Sequence, residues 1–176
     1  MTEPLQGDGF MVRRAVEDDL EFMVALSTHD EVFPFMAAVS AREPEEILAE
    51  IRRSEDDHER FGRFVLEVDS ERAGLLAFQI FSERSRIADL RGLMLHPDFR
   101  GRGFADAAAR LLVRHLIFGL GYHRVQLECY GFNERAIRHA QRSGFTQEGV
   151  KRQAYWRHGE WVDGVLFGLV REDLEE

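Results

Sequence analysis

The loop Arg100-Gly101-Arg102-Gly103-Phe104-Ala105 joins a predicted strand to a predicted helix and is the segment best suited to chemistry. The first N–H groups of a helix have no partner within it, and the positive end of the helix dipole lies beside them. The two glycines let phosphate oxygens approach these groups, and the two arginines can add charge-assisted hydrogen bonds. The pattern indicates a diphosphate site, and a tight strand-to-helix turn without a ligand gives the same short pattern.

Two other phosphate-binding loops do not fit this segment. A Walker A loop ends in Gly-Lys-Ser/Thr, whereas Phe104-Ala105-Asp106 follows the second glycine here. A dinucleotide fingerprint needs G-x-G-x-x-G at the start of the sheet and an acidic residue on the next strand. Glu128 lies near the sequence distance that this acidic residue requires. However, the G-x-G-x-x-G spacing is absent, and three predicted strands precede the strand that leads into the loop.

Hydrophobic periodicity predicts the elements that position this loop. Strands are expected at residues 10–15, 61–68, 73–81, 87–95, 125–130, 145–155 and 161–170. Helices are expected to begin at 18–19, near Pro44, at Phe104 (ending near Phe118) and at 133 (ending at 143), with 54–60 as an exposed tail or loop. This order predicts a mixed α/β sheet with at least one parallel crossover. We expect a lead at 1–9, a single domain at 10–172 and a tail at 173–176.

Composition argues against a membrane-spanning, nucleic-acid-binding or metal-binding protein. No apolar run approaches the roughly 20 residues that span a bilayer, and the N-terminus lacks the features of a signal peptide, so a cytoplasmic protein is expected. The net charge of −9, without a basic run, argues against a nucleic-acid partner and suits a cationic substrate. Cys129 is the single cysteine, and the histidines have no metal-ligand spacing, so neither a disulfide nor a metal site is expected.

Several motifs in order resemble one known family. Residues 93–105, ending in Arg100-Gly101-Arg102-Gly103-Phe104-Ala105, resemble the acyl-CoA signature Arg/Gln-x-x-Gly-x-Gly/Ala of the GNAT acetyltransferases. Asn133-Glu134-Arg135-Ala136-Ile137 and Ser143-Gly144-Phe145 look like the second motif of that superfamily. The segments 148–151 and 158–163 are similar to its RimJ/RimL-type branch. The resemblance covers residues 10–170, with specific motifs only from Leu93 onward.

The resemblance implies a fold and a co-substrate. The fold would be a GNAT-like mixed, mostly antiparallel sheet of about seven strands, with a splayed parallel pair and helices on both faces. Acetyl-CoA would lie in the splay, with the backbone of Leu93, Met94 and Leu95 bonding the pantetheine amides. The amides of Arg100, Gly101, Arg102, Gly103, Phe104 and Ala105 would hold the pyrophosphate. Asn133 would help to place the cofactor arm, serve as the N-cap of the following helix, or do both.

The implied activity is direct acetyl transfer from acetyl-CoA to a primary amine of a small molecule or a peptide N-terminus, in a ternary complex. Asp89 matches a family carboxylate and is the candidate base, acting through water, unless it serves only as an ion-pair partner of Arg91. The family's usual acids, a tyrosine and a serine, are replaced by Ala140 and Ala136. Tyr130 and Tyr155 remain as candidate acids, and packing at a sheet edge is the alternative for both. For Cys129, a core position is favoured over a nucleophilic one.

Phe33-Pro34-Phe35-Met36 falls where this fold places the loop that covers the acceptor, although such a segment also suits a core position. The turn Arg157-His158-Gly159-Glu160, with Trp156 or Trp161, would lie across from it. The resemblance favours a homodimer. Two other functions are weighed against the enzyme. The alanines at the acid positions would suit a non-catalytic acyl-CoA-binding module or sensor, and an empty loop would suit an interaction protein.

Overall fold

The computed structural model describes residues 3–37 and 40–174. One eight-stranded sheet has the order β1-β2-β3-β4-β5-β6-β8-β7, and every neighbouring pair is antiparallel except β5–β6. The strands are β1 (Leu5–Gln6), β2 (Phe10–Arg14), β3 (Phe61–Val68), β4 (Glu71–Ser82), β5 (Ile87–Leu95), β6 (Arg124–Tyr130), β7 (Thr146–Arg157) and β8 (Glu160–Val170). The α-helices are α1 (Leu20–Ser27), α2 (Pro44–Asp56), α3 (Phe104–Arg114) and α4 (Glu134–Arg142).

The predicted mixed sheet with one parallel pair is confirmed, with eight strands in place of about seven. The additional strand, β1, lies in the predicted lead, where Leu5 pairs with Val12 of β2. The prediction of an exposed tail or loop at 54–60 was wrong at its start, because α2 continues to Asp56 and its residue Ser54 is buried. Ser54 is fully buried, and its hydroxyl accepts a hydrogen bond from the Arg63 N–H at 2.9 Å. This internal partner explains why a polar residue there is compatible with the core.

Helices cover both faces of the sheet, as the fold prediction required. On one face, α3 buries Ala108, Ala109, Leu112 and Val113, which repeat at helical spacing toward the sheet. A single π-helical turn, His115–Gly119, continues α3 to the position where the sequence predicted its end. On the other face, Met23 and Leu26 of α1 pack with Ile47 and Ile51 of α2. The sheet therefore separates two apolar clusters, and the chemistry of each face can differ.

A buried carboxylate fixes the entry to α1. Asp19 is fully buried, and its two oxygens accept hydrogen bonds from Arg13 and Arg72, each at 2.7 Å. Its Oδ2 also accepts from the Val16 N–H at 2.8 Å. Burial opposes ionisation, but these hydrogen bonds outweigh burial and lower the pKa of Asp19 to about 2. The cluster ties β2, the start of α1 and the start of β4 together.

Candidate functional site

The two parallel strands separate soon after they pair. Their register covers three rungs only, from Ile87 opposite Arg124 to Asp89 opposite Gln126. Beyond that point β5 remains paired with β4, and β6 with β8. Residues 90–95 and 127–130 therefore border a gap, and each strand has one edge without a strand partner. Unpaired peptide groups at such an edge can bond the amides of an extended ligand, as an added strand would.

A bulge shapes the β5 side of the gap. Met94 lies opposite Leu75 and Arg91 opposite Ala77, so β5 uses one residue more than β4 over this stretch. Gly92 takes up the extra residue with φ +61°, in the left-handed region. The bulge changes which face the following residues occupy. Leu93 and Leu95 pack against the α3 cluster, and Met94 packs against the α1–α2 cluster.

The start of α3 presents backbone donors at the open end of this gap. Among the described residues, no hydrogen-bond partner is found for the N–H groups of residues 103–106, and the first helical bond runs from Ala107 N–H to the Gly103 carbonyl. Gly101 and Gly103 have φ +76° and +80°, and a Cβ built on either would meet nothing within 4 Å. The loop is exposed from Gly101 to Gly103. These features fit a diphosphate, which needs close access to unpaired N–H groups.

The two loop arginines differ in their availability. The Arg100 N–H donates to the Pro97 carbonyl at 3.1 Å, and its guanidinium donates to Glu31 at 2.6 Å. The sequence predicts that the backbone N–H and the guanidinium of Arg100 hold the diphosphate. The structure differs, because each group already has a hydrogen-bond partner inside the protein. The Arg102 guanidinium lies 4.7 Å from the Phe104 ring centroid and 3.8 Å from Asp69, and its side chain is 50% exposed. Arg102, which is half exposed and has only this long ion pair among the described residues, is the loop arginine better placed to turn toward a ligand.

An acidic side chain in the first turn of α3 is turned away from the loop. Asp106 accepts a 2.6 Å hydrogen bond from Arg142 Nε and lies 2.6 Å from His139 Nδ1, both on α4. Burial opposes ionisation of Asp106, but these two partners outweigh it and lower its pKa. The charge is therefore neutralised beside α4, where it does not repel an anion at the loop. Asn133, the second predicted cofactor contact, caps α4 by accepting from the Ala136 N–H at 3.1 Å.

The candidate base lies where the strands part. Asp89 Oδ1 accepts a 2.8 Å hydrogen bond from Gln126 Nε2, and its Oδ2 lies 3.7 Å from the Arg91 guanidinium. Its neighbours Ala88 and Leu90 belong to the α3 cluster, so strand alternation directs Asp89 to the α1–α2 face. The ion pair considered from the sequence is present but long. The hydrogen bond to Gln126 is the shorter contact.

A second carboxylate on the same face was missed in the sequence, where Glu128 was considered only as a dinucleotide ligand. Glu128 Oε1 accepts from the Tyr155 hydroxyl at 2.7 Å, and Oε2 accepts from Lys151 at 2.7 Å. The hydrogen bond to Glu128, followed by burial, raises the pKa of Tyr155. Alternation of polar and apolar residues along β6 was the available signal, because Val125, Leu127 and Cys129 pack against the α3 cluster.

Tyr130 belongs to an aromatic cluster that closes one end of the face. Its ring stacks on Phe132 at 5.4 Å and meets Tyr155 edge-on at 5.3 Å. Phe35, from the segment predicted to cover the acceptor, lies 6.2 Å from Phe132. Met36 instead packs against the α1–α2 cluster, which agrees with the core alternative for this residue. The acceptor-covering role of the segment stays a prediction.

The turn between β7 and β8 faces this loop, as the sequence indicated. His158 Nε2 lies 3.0 Å from the Pro34 carbonyl oxygen, and Arg157 Nη2 donates to the Met36 carbonyl at 2.5 Å. Trp156 and Trp161 pack on each other at 5.2 Å and are 57% and 59% exposed. The contacts with the loop thus come from Arg157 and His158.

Cys129 and Ala140, two further positions singled out in the sequence, do not supply a reactive group. Burial, followed by the charge of Glu128, raises the pKa of Cys129 to about 11, opposite to the change that a nucleophilic thiol requires. Ala140, at the position of the missing tyrosine, is fully buried.

Among residues 3–37 and 40–174, no three His, Cys, Asp or Glu side chains form a group that could hold a metal ion. No helix in the same residues is both long and apolar enough to cross a membrane.

A split parallel pair, a bulge on one side of the gap and free helix N–H groups at its open end define an acyl-CoA-dependent transferase fold. Residues 10–146 match the family model described as "Acetyltransferase (GNAT) domain". The chain belongs to this family and is an N-acetyltransferase, as the motifs predicted. Acetyl-CoA is the co-substrate generic to the family.

Several members of this family resemble the chain. It is 34% identical over 83 residues to the prophage-derived uncharacterized N-acetyltransferase YokL of Bacillus subtilis (strain 168), over 47% of each chain. It is 26% identical over 157 residues to spermidine N(1)-acetyltransferase of Escherichia coli (strain K12), covering 88% of this chain and 82% of that one. A RimL ribosomal L7/L12 alpha-N-protein acetyltransferase in complex with coenzyme A superposes with TM-score 0.84 at 19% identity, covering 96% and 98%. This neighbour supports the predicted RimJ/RimL-like fold.

Proposed function

We propose that this chain transfers the acetyl group of acetyl-CoA directly to a primary amine, with both substrates bound at once. The observation that supports this most strongly is the set of unpaired N–H groups at residues 103–106 beside the gap between β5 and β6. A diphosphate bound there would direct an extended arm along residues 93–95 toward Asp89. One binding mode thus connects the loop to the face that carries ionisable side chains.

The residues that would hold the co-substrate fall into two groups. N–H groups at Gly103, Phe104 and Ala105, with the neighbouring Gly101, would bind the pyrophosphate, and Arg102 would add a charged donor. The free edge of β5 at Leu93, Met94 and Leu95 would bond the pantetheine amides. Asn133 uses its Oδ1 as a cap, and its side-chain N–H₂ group is left to reach the arm directly or through water.

Bound acetyl-CoA supplies the electrophilic thioester carbonyl. The chain's own task is to remove a proton from an ammonium acceptor and to orient the neutral amine. Asp89, at the point of separation, would accept that proton through water. Tyr155, whose hydroxyl is held by Glu128, and Tyr130 are the groups that could donate a proton to the leaving thiolate. Cys129 has no role in this scheme because its thiol stays protonated at neutral pH.

Relatives act on different amines, according to their names: spermidine in one and a ribosomal-protein N-terminus in another. We infer that the acceptor of this chain binds beside the aromatic residues Phe35 and Tyr130, next to the contact between the 33–36 segment and the β7–β8 turn. A small molecule and a peptide N-terminus are both candidates.

The test is a thiol-release assay with acetyl-CoA and a panel of polyamines, amino acids, peptides and aryl alkyl amines. We expect release above the hydrolysis background with at least one class, together with an increase in Tm on adding CoA. A Tm increase without turnover of any amine would favour the non-catalytic binding module instead. Absence of any Tm change with CoA would contradict both functions.

A further inference from the structure

Arg157 forms no ion pair with the acidic residue opposite it in the sheet, among the residues that the structure describes. It is the last residue of β7 and lies directly opposite Glu160 on β8. Opposite charges at such cross-strand positions usually pair. The Arg157 guanidinium instead lies 5.2 Å from the Tyr130 ring centroid, and Nη2 donates to the Met36 carbonyl. Its charge is therefore directed toward the acceptor end of the face.

Some N–H groups of the Arg157 guanidinium have no hydrogen-bond partner in the described residues. Nε is buried without a hydrogen-bond partner, and within residues 3–37 and 40–174 Nη1 has none either. No carboxylate in that part of the chain forms an ion pair with Arg157. The carboxylates on the same face already have cations, Glu128 with Lys151 and Asp89 with Arg91. A partly buried arginine without a counter-ion costs free energy, which a bound anion would recover.

A second guanidinium group borders the same aromatic cluster. The Arg135 guanidinium lies 6.0 Å from the Phe35 ring centroid. Arg135 forms no ion pair with a carboxylate of the described residues. In a chain of net charge −9, this end of the face therefore carries two guanidinium groups, those of Arg157 and Arg135, beside aromatic rings. Such a site attracts an anion and disfavours a second ammonium group.

We propose that Arg157 binds a carboxylate on the acceptor, so that the preferred substrate is an amine that also carries a carboxylate and an apolar side chain. The planar guanidinium suits a carboxylate through its unpaired Nη1 donors. The exposed rings of Phe35 and Phe132 would contact the apolar side chain. A free amino acid and a peptide with an acidic residue near its N-terminus share this chemistry. The inference rests on the proposed acetyl transfer and specifies its substrate class.

The experiment compares acceptors in pairs that differ only in the carboxylate. Phenylalanine is compared with phenylalanine amide and phenethylamine, and a peptide with aspartate at its second position is compared with its asparagine counterpart. In the wild type we expect kcat/KM to be about tenfold or more higher for the carboxylate member of one pair, mainly through a lower KM. The pair that shows the preference identifies the source of the carboxylate.

Variants separate substrate binding from support of the loop. Arg157→Gln should abolish the preference, so that kcat/KM falls by at least about tenfold more for the carboxylate member than for the uncharged member, and Arg157→Lys should restore part of the preference. His158→Ala, which removes the neighbouring contact with Pro34, serves as the matched control and should affect both members equally. Equal use of both members by the wild type, or an equal loss for both in Arg157→Gln, would overturn the role of Arg157 but not acetyl transfer. Absence of turnover with every amine would overturn the proposed function as well.

Discussion

Gln126 Nε2 donates a 2.8 Å hydrogen bond to Asp89 Oδ1 across the last rung that β5 and β6 share. This bond closes the narrow end of the gap and fixes the carboxylate on the face that carries Glu128 and Tyr155. A carboxylate held in one orientation at that point is suited to accept a proton through water from an amine in the gap.

Asp89→Asn should lower kcat/KM for the best acceptor by about 100-fold, because the amide cannot accept a proton. The Gln126 hydrogen bond can survive, since Oδ1 remains an acceptor, so CoA affinity should stay within about twofold. Steady-state kinetics and calorimetric titration with CoA measure the two effects. Glu128→Gln is the matched control, with a smaller expected loss because Tyr155 can still donate to the new amide oxygen. A larger loss in Glu128→Gln would identify Glu128 as the base.

Gly103→Glu should abolish CoA binding, because its side chain would fill the open space at the start of α3 and place a negative charge beside the pyrophosphate. Gly159→Glu is a matched control, since the two glycines have φ +80° and +81° and both have nothing within 4 Å of a built Cβ. The backbone cost should therefore be similar, about 1–2 kcal/mol in each. The increase in Tm produced by CoA should disappear only in Gly103→Glu. Wild-type CoA affinity in that variant would exclude this loop as the site.

Much of this site could be predicted from residue order alone. The glycine loop, the strand before it and the helix after it follow from local pattern, and the free N–H groups are a property of any helix start. The splay of β5 and β6 came from the family resemblance, since no local pattern reports that two strands share only three rungs. The two-residue strand β1 is too short to produce a periodic signal.

Contacts between distant segments account for what the sequence did not reveal. The partner of Arg100 is Glu31, 69 residues away, and the partners of Glu128 lie on β7. Side-chain pairing of this kind depends on the register of β6, β8 and β7, including the shift between Lys151 and Tyr155. A separate contact buries Ser54, which appeared in the sequence as part of a polar, exposed stretch: α2 packs against β3, and the Arg63 N–H donates to the Ser54 hydroxyl.

Gly92→Ala should lower the free energy of unfolding by about 1–2 kcal/mol, because alanine is unfavourable at φ +61°. Its Cβ would also lie 3.2 Å from Arg63 Nη1. Because the bulge orients residues 93–95, CoA affinity should fall as well. Gly149→Ala, in β7 with open space around the built Cβ, is the control and should change stability by less than about 0.5 kcal/mol. Urea unfolding measures both variants, and equal stabilities would contradict the assigned strain.

Cys129 should react very slowly with iodoacetamide at pH 7.5 in the folded protein, because its pKa is raised to about 11 and only the thiolate reacts. The rate should increase with pH through pH 9 and beyond. The same protein unfolded in urea provides the control, since an exposed thiol has a pKa of about 8.5. Cys129→Ala should keep most of the acetyl-transfer activity. Loss of turnover in that variant, with fast alkylation of the folded wild type, would restore the covalent mechanism.

The buried Asp19 should make stability depend on pH at the acidic end of the range. Its pKa is about 2 in the folded protein and 3.8 when unperturbed, so the folded state binds fewer protons between these values. The contribution is complete above about pH 4 and is lost as pH falls through about 2, with a total of about 2 kcal/mol. Asp19→Asn should remove this dependence and, at pH 7, destabilise the protein by about 3 kcal/mol, because Arg13 loses its buried counter-ion. Glu17→Gln is the control, since Glu17 and Arg52 form an exposed pair that should contribute less than about 1 kcal/mol. Urea unfolding between pH 2.5 and 7 gives both quantities, and parallel pH profiles for the wild type and Asp19→Asn would contradict the role of the cluster.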